Sequence, residues 1–336
     1  MKNFLDLADL DHTEIRSLLA LATGLEHSPQ PQALAGRVLG LMFMNPSLRT
    51  LASFQAGMAR LGGNSFVIST GSSWQLEYRD GVPMTGEAAE HIREAVPVLA
   101  TYADVLGVRA FAQGQALEED LAEPVFESLA ELCPVPLINM ESATNHPCQA
   151  LGDWKTLDDL DVPSAGGKFV LSWANHPKPL PLAVPSAVVH MAALRGMDVT
   201  VLRPEGFELP EPIMARAHAA AAASGGRVDE TDDREAAMSG AQVLYAKSWG
   251  CTSDYGDARA DAALRERYAD WTVREDWFRP ADDDCYFMHC LPVRREVVVA
   301  GDVLEGRRSR VIPQARNRMY AQMAVLHRLL SRSNPT

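Results

Sequence analysis

Short apolar runs alternate with longer stretches of helical spacing along most of this chain. Asp11 followed three residues later by Glu14 forms a capping pair, and Ile15, Leu18, Leu19 and Ala22 then recur on one helical face. Residues 38–44 form an apolar run ended by Asn45-Pro46, after which Phe54, Met58 and Leu61 mark a helix stopped by Gly62-Gly63. The order strand, loop, helix recurs. Strands are predicted at 65–68, 105–108 and 135–139, with helices over 89–102 and 121–132 between them. Further strands are predicted at 169–173, 199–202, 243–246 and 285–288, with the alanine-rich stretch 215–223 as helix. Such alternation places helices on both faces of parallel sheets, so the predicted class is α/β, as two doubly wound parallel-sheet domains. A helix over 149–160 links the halves, and a terminal run over 316–330 is long enough to pack back on the first. The stretch 176–185 holds Pro177, Pro179, Pro181 and Pro185, which predicts a stiff extended loop.

Composition agrees with two domains and narrows the chemistry. A chain of 336 residues, 47% hydrophobic, fills two domains of roughly 150 residues each. A net charge of −13 argues against nucleic acid and anionic membrane surfaces, since both require a basic face, and leaves any anionic substrate to be met by local cations. Cys133, Cys148, Cys251, Cys285 and Cys290 show no repeated C-x-x-C spacing, so neither a metal site nor a disulfide framework is signalled. The N-terminus turns acidic before any signal-like apolar region and no stretch reaches membrane-span length, so a cytoplasmic protein is expected. A nucleotide-dependent oxidoreductase suits the α/β pattern, but no G-x-G-x-x-G follows the first strand.

Three strings carry chemistry: Ser47-Leu48-Arg49-Thr50, His146-Pro147-Cys148-Gln149 and His289-Cys290-Leu291-Pro292. The first lies where a strand hands over to a helix, so backbone N–H groups and the helix dipole point at an anion, and Arg49 adds a planar donor fork. Arg109 ends another first-half strand at the edge where open α/β sheets bind ligands. In this order and at these separations the strings resemble the aspartate/ornithine carbamoyltransferase family, which moves a carbamoyl group from carbamoyl phosphate to an amine. The resemblance implies a carbamoyl phosphate site of Ser47, Leu48, Arg49, Thr50, Trp74, Arg109, His146, Pro147, Cys148, Gln149, Cys290, Leu291 and Arg318. It also implies that His146, Thr50 and Arg318 surround the carbonyl oxygen as it becomes an oxyanion, while Gln149 and the backbone carbonyls of Cys290 and Leu291 accept from the carbamoyl NH₂. Transfer to an amine needs no enzyme nucleophile, no metal and no cofactor, so Cys148 and Cys290 are read as packing or backbone positions.

The amine side separates the branches. Where ornithine enzymes carry an aspartate for the α-ammonium followed by Ser-Met-Gly, this chain has Lys247-Ser248-Trp249-Gly250. A cation there repels an ammonium and attracts an acyl oxygen or carboxylate. With Phe43-Met44-Asn45-Pro46, Trp173, His176-Pro177-Lys178-Pro179-Leu180 and Tyr245-Ala246-Lys247-Ser248-Trp249, the chain is similar to the N-acetylornithine and N-succinylornithine carbamoyltransferases. That branch implies acylornithine contacts at Glu141, His176, Lys247, Leu291 and Arg294, and a homotrimer with shared active sites into which Trp74 of a neighbour reaches. It implies a knotted second domain, an exception to the rule against threading. The domains are then a carbamoyl-phosphate-binding domain over 1–148 plus the terminal helix 316–332, and an acylornithine-binding domain over 149–315.

Acetylornithine enzymes place a glutamate just before the position of Glu90-His91-Ile92, and succinylornithine enzymes a small or apolar residue; here it is Ala89. Alanine leaves room and no charge for a distal carboxylate, which Lys247, Arg294 and His176 can balance. No lysine occurs in Glu296-Val297-Val298-Val299-Ala300, where acetyl enzymes carry one. The expected substrate is therefore N-succinylornithine, with N-acetylornithine the alternative. The chain departs from the family pattern at Leu51, usually a second arginine, and at Gln314, usually acidic, where loss of a salt bridge is expected to lower stability or activity. These departures leave a noncatalytic carbamoyl-phosphate-binding homologue as the lesser reading.

Overall fold

The structure is a computed structural model, and it describes residues 1–69 and 74–331. The described residues divide into two compact units, the first formed by 1–69, 74–112, 119–151 and 318–331 and the second by 113–118 and 152–317.

In the first unit, strands β1 (Val38–Phe43), β2 (Asn64–Ser69), β5 (Val105–Arg109) and β6 (Leu137–Glu141) form a parallel sheet in the order β2-β1-β5-β6. The order reverses between β1 and β5, so the carboxyl ends of these two strands frame the crevice that such sheets offer to ligands. Helices α1 (His12–His27), α2 (Leu48–Arg60), α3 (Ile92–Ala100), α4 (Leu117–Ala122) and α5 (Pro124–Leu132) belong to this half of the chain. Strands β1, β5 and β6 are buried almost throughout, as expected of a sheet covered on both faces. Asp11 and Glu14 close the capping box that begins α1. Gly57 in α2 stands where an added Cβ would meet the Met323 side chain at 3.0 Å, so glycine lets the terminal helix lie close.

Two departures from the sequence reading occur in this unit. The helix expected over 89–102 is shorter, because β4 (Ala88–His91) pairs with β3 (Gln75–Glu77) in a small parallel sheet and the helix starts only at Ile92. Strand pairing here overrides the helical propensity of Ala88, Ala89 and Glu90. The single helix expected over 121–132 is two, α4 and α5, separated at Glu123, whose φ is 49°.

The second unit holds a parallel sheet in the order β11-β10-β7-β8-β9, made of β7 (Lys168–Trp173), β8 (Asp198–Leu202), β9 (Arg227–Thr231), β10 (Val243–Lys247) and β11 (Tyr286–Met288). Its order reverses between β7 and β10, again marking their carboxyl ends. The helices are α7 (Ala183–Leu194), α8 (Glu211–Ser224), α9 (Arg234–Met238), α10 (Ala258–Glu266) and α11 (Gly301–Glu305). The chain passes between the units within α6 (Pro147–Asp159) and again within α12 (Val311–Leu330). Helix α7 is buried almost all round, so its apolar residues give no amphipathic stripe. The proline-rich stretch is extended only as far as Leu182; Pro185 falls in the first turn of α7, where its missing N–H needs no partner. Beyond Lys247 the chain meets this loop, Gly250 N–H donating to the Leu180 carbonyl at 3.0 Å. Among the described residues no helix is long and apolar enough to cross a membrane.

Candidate active site

The first unit gathers cations at the carboxyl ends of β1, β5 and β6. Ser47 has extended backbone and caps α2: its Oγ accepts from Thr50 N–H at 3.3 Å and its hydroxyl donates to Thr50 Oγ1 at 3.0 Å. Leu48 opens the helix with its side chain exposed, Arg49 is half-buried and Thr50 is buried. The N-terminal turn of α2 therefore lies open beside a guanidinium, an arrangement suited to an anion.

Arg109 is the last residue of β5 and is buried. Its Nη1 pairs with the carboxylate of Glu141, the last residue of β6, and its guanidinium lies 4.3 Å from the centre of the Phe111 ring. Phe111 is in turn fixed by its N–H, which donates to Asn45 Oδ1 at 2.8 Å. Phe111 and Asn45 are thus supports for Arg109, a role the sequence did not assign to either; the position of Phe111 two residues after Arg109 was the available signal. Arg109 Nε is buried with no hydrogen-bond partner among the described residues.

His146 directly precedes α6, where Pro147 takes the first helical position that proline favours. Its carbonyl accepts from Gln149 and Ala150 N–H groups, and its side chain is buried. The ring Nε2 lies 3.4 Å from Glu141, while Nδ1 has no partner among the described residues. Burial holds its pKa well below the usual imidazole range, and the guanidinium groups of Arg318, Arg109 and Arg49 push it the same way. The ring is neutral at pH 7. Gln149, buried on α6, accepts at Oε1 from Arg318 Nη1 of α12 at 3.0 Å. Cys148 donates to the Asn139 carbonyl at 3.7 Å, and burial pushes its thiol up to about 12, so it is no thiolate nucleophile. Arg49, Arg109 and Arg318 around His146, with Glu141 the carboxylate paired there, suit a dianionic phosphoryl group. Glu141, expected as an acylornithine contact, is within this unit the partner of Arg109 and His146.

Trp74 is exposed, and its Nε1–H donates to Glu90 Oε2 at 2.8 Å across the β3–β4 sheet; Ala89 is exposed on the same sheet.

The second unit holds a separate cationic group. Lys247 ends β10 in register with Trp173 of β7 and is buried, with no ion-pair partner among the described residues. His176 accepts at Nε2 from Arg294 Nε at 3.1 Å, which puts the ring proton on Nδ1, where the Lys178 carbonyl accepts it at 2.9 Å. Burial lowers its pKa; the hydrogen bond to Lys178 opposes this, and the charges of Lys247, Arg294 and Arg265 lower it further. Leu291 has φ 57° and precedes a cis peptide bond to Pro292, and its N–H donates to His289 Nδ1 at 2.8 Å. Cys290 beside it is half-buried. Gln314 holds this loop: Oε1 accepts from His289 N–H at 2.9 Å, and Nε2 donates to Asp153 at 2.8 Å and to the Tyr245 hydroxyl at 3.2 Å. A neutral amide thus fills the usually acidic position with its bonds satisfied. Among the described residues no group of His, Cys, Asp and Glu is disposed to hold a metal ion.

The family described as Aspartate/ornithine carbamoyltransferase, carbamoyl-P binding domain, matches residues 2–159, and its Asp/Orn binding domain matches residues 183–329. The N-acetylornithine carbamoyltransferase of Xanthomonas campestris pv. campestris is 37% identical, over 100% of this chain and 99% of that protein. The N-succinylornithine carbamoyltransferase of Bacteroides thetaiotaomicron is 34% identical, over 98% of this chain and 99% of that protein. Among solved structures, an N-acetyl-L-ornithine transcarbamylase with one glutamate replaced by proline, complexed with carbamyl phosphate and N-succinyl-L-norvaline, matches with a TM-score of 0.94 at 36% identity, covering 98% of this chain and 100% of that one.

Proposed function

Because the chain belongs to the aspartate/ornithine carbamoyltransferase family, we propose that it transfers the carbamoyl group of carbamoyl phosphate to the side-chain amine of N-succinyl-L-ornithine, giving N-succinyl-L-citrulline and phosphate. Arg49, Arg109 and the N-terminal turn of α2 from Ser47 to Thr50 take the phosphate. The amine lone pair attacks the carbonyl carbon, the carbonyl oxygen becomes an oxyanion, and the bond to the phosphate oxygen breaks as the oxyanion collapses. Thr50, Arg318 and the neutral His146 surround that oxygen, Thr50 and Arg318 donating to it. Gln149, held by Arg318, accepts from the carbamoyl nitrogen and orients it. Departing phosphate can accept the proton that the amine loses, so the neutral His146 has no acid–base step to perform.

The observation that carries the acyl assignment is Lys247, buried at the end of β10 without a carboxylate partner among the described residues, beside the Arg294–His176 pair. A free ornithine would bring an ammonium to this group and be repelled; a succinyl carboxylate would balance it. Ala89 supports the same choice, since it brings no negative charge. The relative that binds N-succinyl-L-norvaline does so with a glutamate replaced by proline, which fits a rule in which loss of one glutamate admits the succinyl group. The reading includes a homotrimer in which Trp74 completes a neighbour's site, and a cytoplasmic location. The test is citrulline-type product formed from carbamoyl phosphate with ornithine, N-acetylornithine and N-succinylornithine in parallel. Succinylornithine is expected to have the highest kcat/KM. Dominant turnover of acetylornithine overturns the acyl assignment, and dominant turnover of free ornithine overturns the role of Lys247.

A further inference from the structure

Helix α10 carries a buried ion pair that the proposed chemistry leaves unused. Arg265 and Asp261, one turn apart, are each 4% exposed. Arg265 Nε donates to Asp261 Oδ1 at 2.9 Å and Nη2 to Oδ2 at 2.8 Å, a bidentate pair. The guanidinium lies 5.1 Å from the Phe207 ring centre and 5.6 Å from that of Trp173. Both partners also reach the chain that follows β10. Asp261 Oδ2 accepts from Cys251 N–H at 2.7 Å, and Arg265 Nη2 donates to the Trp249 carbonyl at 3.2 Å. The same carbonyl accepts from Trp173 Nε1 at 3.1 Å, while Trp249 Nε1 donates to the Phe207 carbonyl at 2.9 Å. Ser248, next to Lys247, donates to the Ala174 carbonyl at 2.5 Å. Residues 248–251 are thereby bonded at nearly every step.

Stability alone is a poor reason for this arrangement. Burying both charges carries a large desolvation cost, and Arg265 Nη1 remains buried with no partner among the described residues. An apolar pair of the same volume would pack the fold as well. What an apolar pair cannot do is hold one carbonyl and one N–H, two residues apart, in a fixed orientation. The segment so held begins at Lys247, and the Arg265 charge is near enough to His176 to be felt there.

We infer that Asp261 and Arg265 are positioning residues for the acyl-binding cations: they fix the Trp249–Cys251 backbone and through it the direction in which Lys247 presents its ammonium. The inference rests on the acylornithine reading above for its kinetic consequence, though not for its effect on the loop. Two variants test it. Arg265→Lys keeps the charge but loses the planar fork whose separate Nε and Nη2 atoms bond both Asp261 oxygens and the Trp249 carbonyl; Asp261→Leu/Arg265→Met removes both charges together. Amide hydrogen exchange of residues 248–251 in the unliganded protein is measured beside KM for acylornithine and for carbamoyl phosphate. Faster exchange in both variants is expected, with KM for acylornithine raised about tenfold and KM for carbamoyl phosphate changed less than about twofold. Unchanged exchange overturns the inference, as does an equal rise in both KM values. Loss of cooperative unfolding in the paired variant also counts against it, since the pair would then serve the fold rather than the loop. If the parent protein turns over no acylornithine, the functional reading fails alone, and exchange still decides whether the pair holds the loop.

Discussion

Replacing Lys247 by methionine removes one charge while keeping an unbranched stem of similar length in the same buried space. Two unit charges 4 Å apart attract by about 4 kcal/mol at an effective dielectric constant of about 20. The net loss is smaller, because a bound carboxylate gives up its hydration and Arg294 remains to share it. A loss of about 2–3 kcal/mol is therefore expected for succinylornithine, or roughly 30–150-fold in kcat/KM. Acetylornithine has no distal carboxylate and loses at most one hydrogen bond to a neutral oxygen, about 1 kcal/mol and less than tenfold. The ratio of the two kcat/KM values thus moves toward acetylornithine by about fivefold or more. Stability moves the other way: Lys247 has no ion-pair partner among the described residues, so the melting temperature should stay level or rise by a few degrees. The assay is steady-state kinetics on both substrates with a thermal scan of each protein. An equal loss for both substrates refutes the reasoning, because Lys247 would then contact a group they share.

Ala89→Glu, which sets a carboxylate where the acyl end is expected, should lower succinylornithine turnover by about two orders of magnitude and leave acetylornithine nearly unchanged, read as the ratio of kcat/KM values. Gln314→Glu puts a second carboxylate in place of an amide that donates to Asp153 at 2.8 Å, so both cannot ionise together and the folded pair's pKa is raised. Its penalty is absent near pH 4 and grows as pH rises, so the variant's melting temperature should drop by about 5–10 °C relative to the parent between pH 5 and 8; a constant difference excludes the pairing. His146 is neutral in the folded protein and charges in the unfolded chain below about pH 6.5, so stability present above that value is lost as pH falls, by up to about 1.4 kcal/mol per unit, and His146→Gln should flatten this slope in denaturant titrations. Mixing Trp74→Ala with Arg49→Ala protein should restore part of the activity if sites are shared in a trimer; activity no higher than in either variant alone counts against sharing.

What the sequence determines here is local. Capping chemistry at Asp11 and Ser47, glycine stops after Leu61 and the two-residue or helical period of apolar positions depend on neighbours in the chain, so the α/β alternation, the parallel sheets and the placing of Ser47 and Arg109 at strand ends were legible. The three motif strings carried the family because each is contiguous. Strand β9, Arg227-Val228-Asp229-Glu230-Thr231, was not legible: its polar positions lie at the edge of the sheet, and its pairing with β8 decides its conformation. The same holds for β3 and β4, whose pairing shortened a predicted helix. Only the tertiary structure decided how polar side chains are satisfied. Arg318 meets Gln149 across 169 residues of sequence, Gln314 meets Asp153 across 161, and Arg109 is steadied by Phe111 and shared with Glu141. At Gln314 the sequence shows only that an acidic residue is missing, and the three hydrogen bonds of the amide that replaces it come from the fold. The physical reason is one of range: propensity and periodicity are written in neighbouring residues, whereas burial, pKa and the partner of a buried polar group are set by atoms that folding brings together from distant parts of the chain.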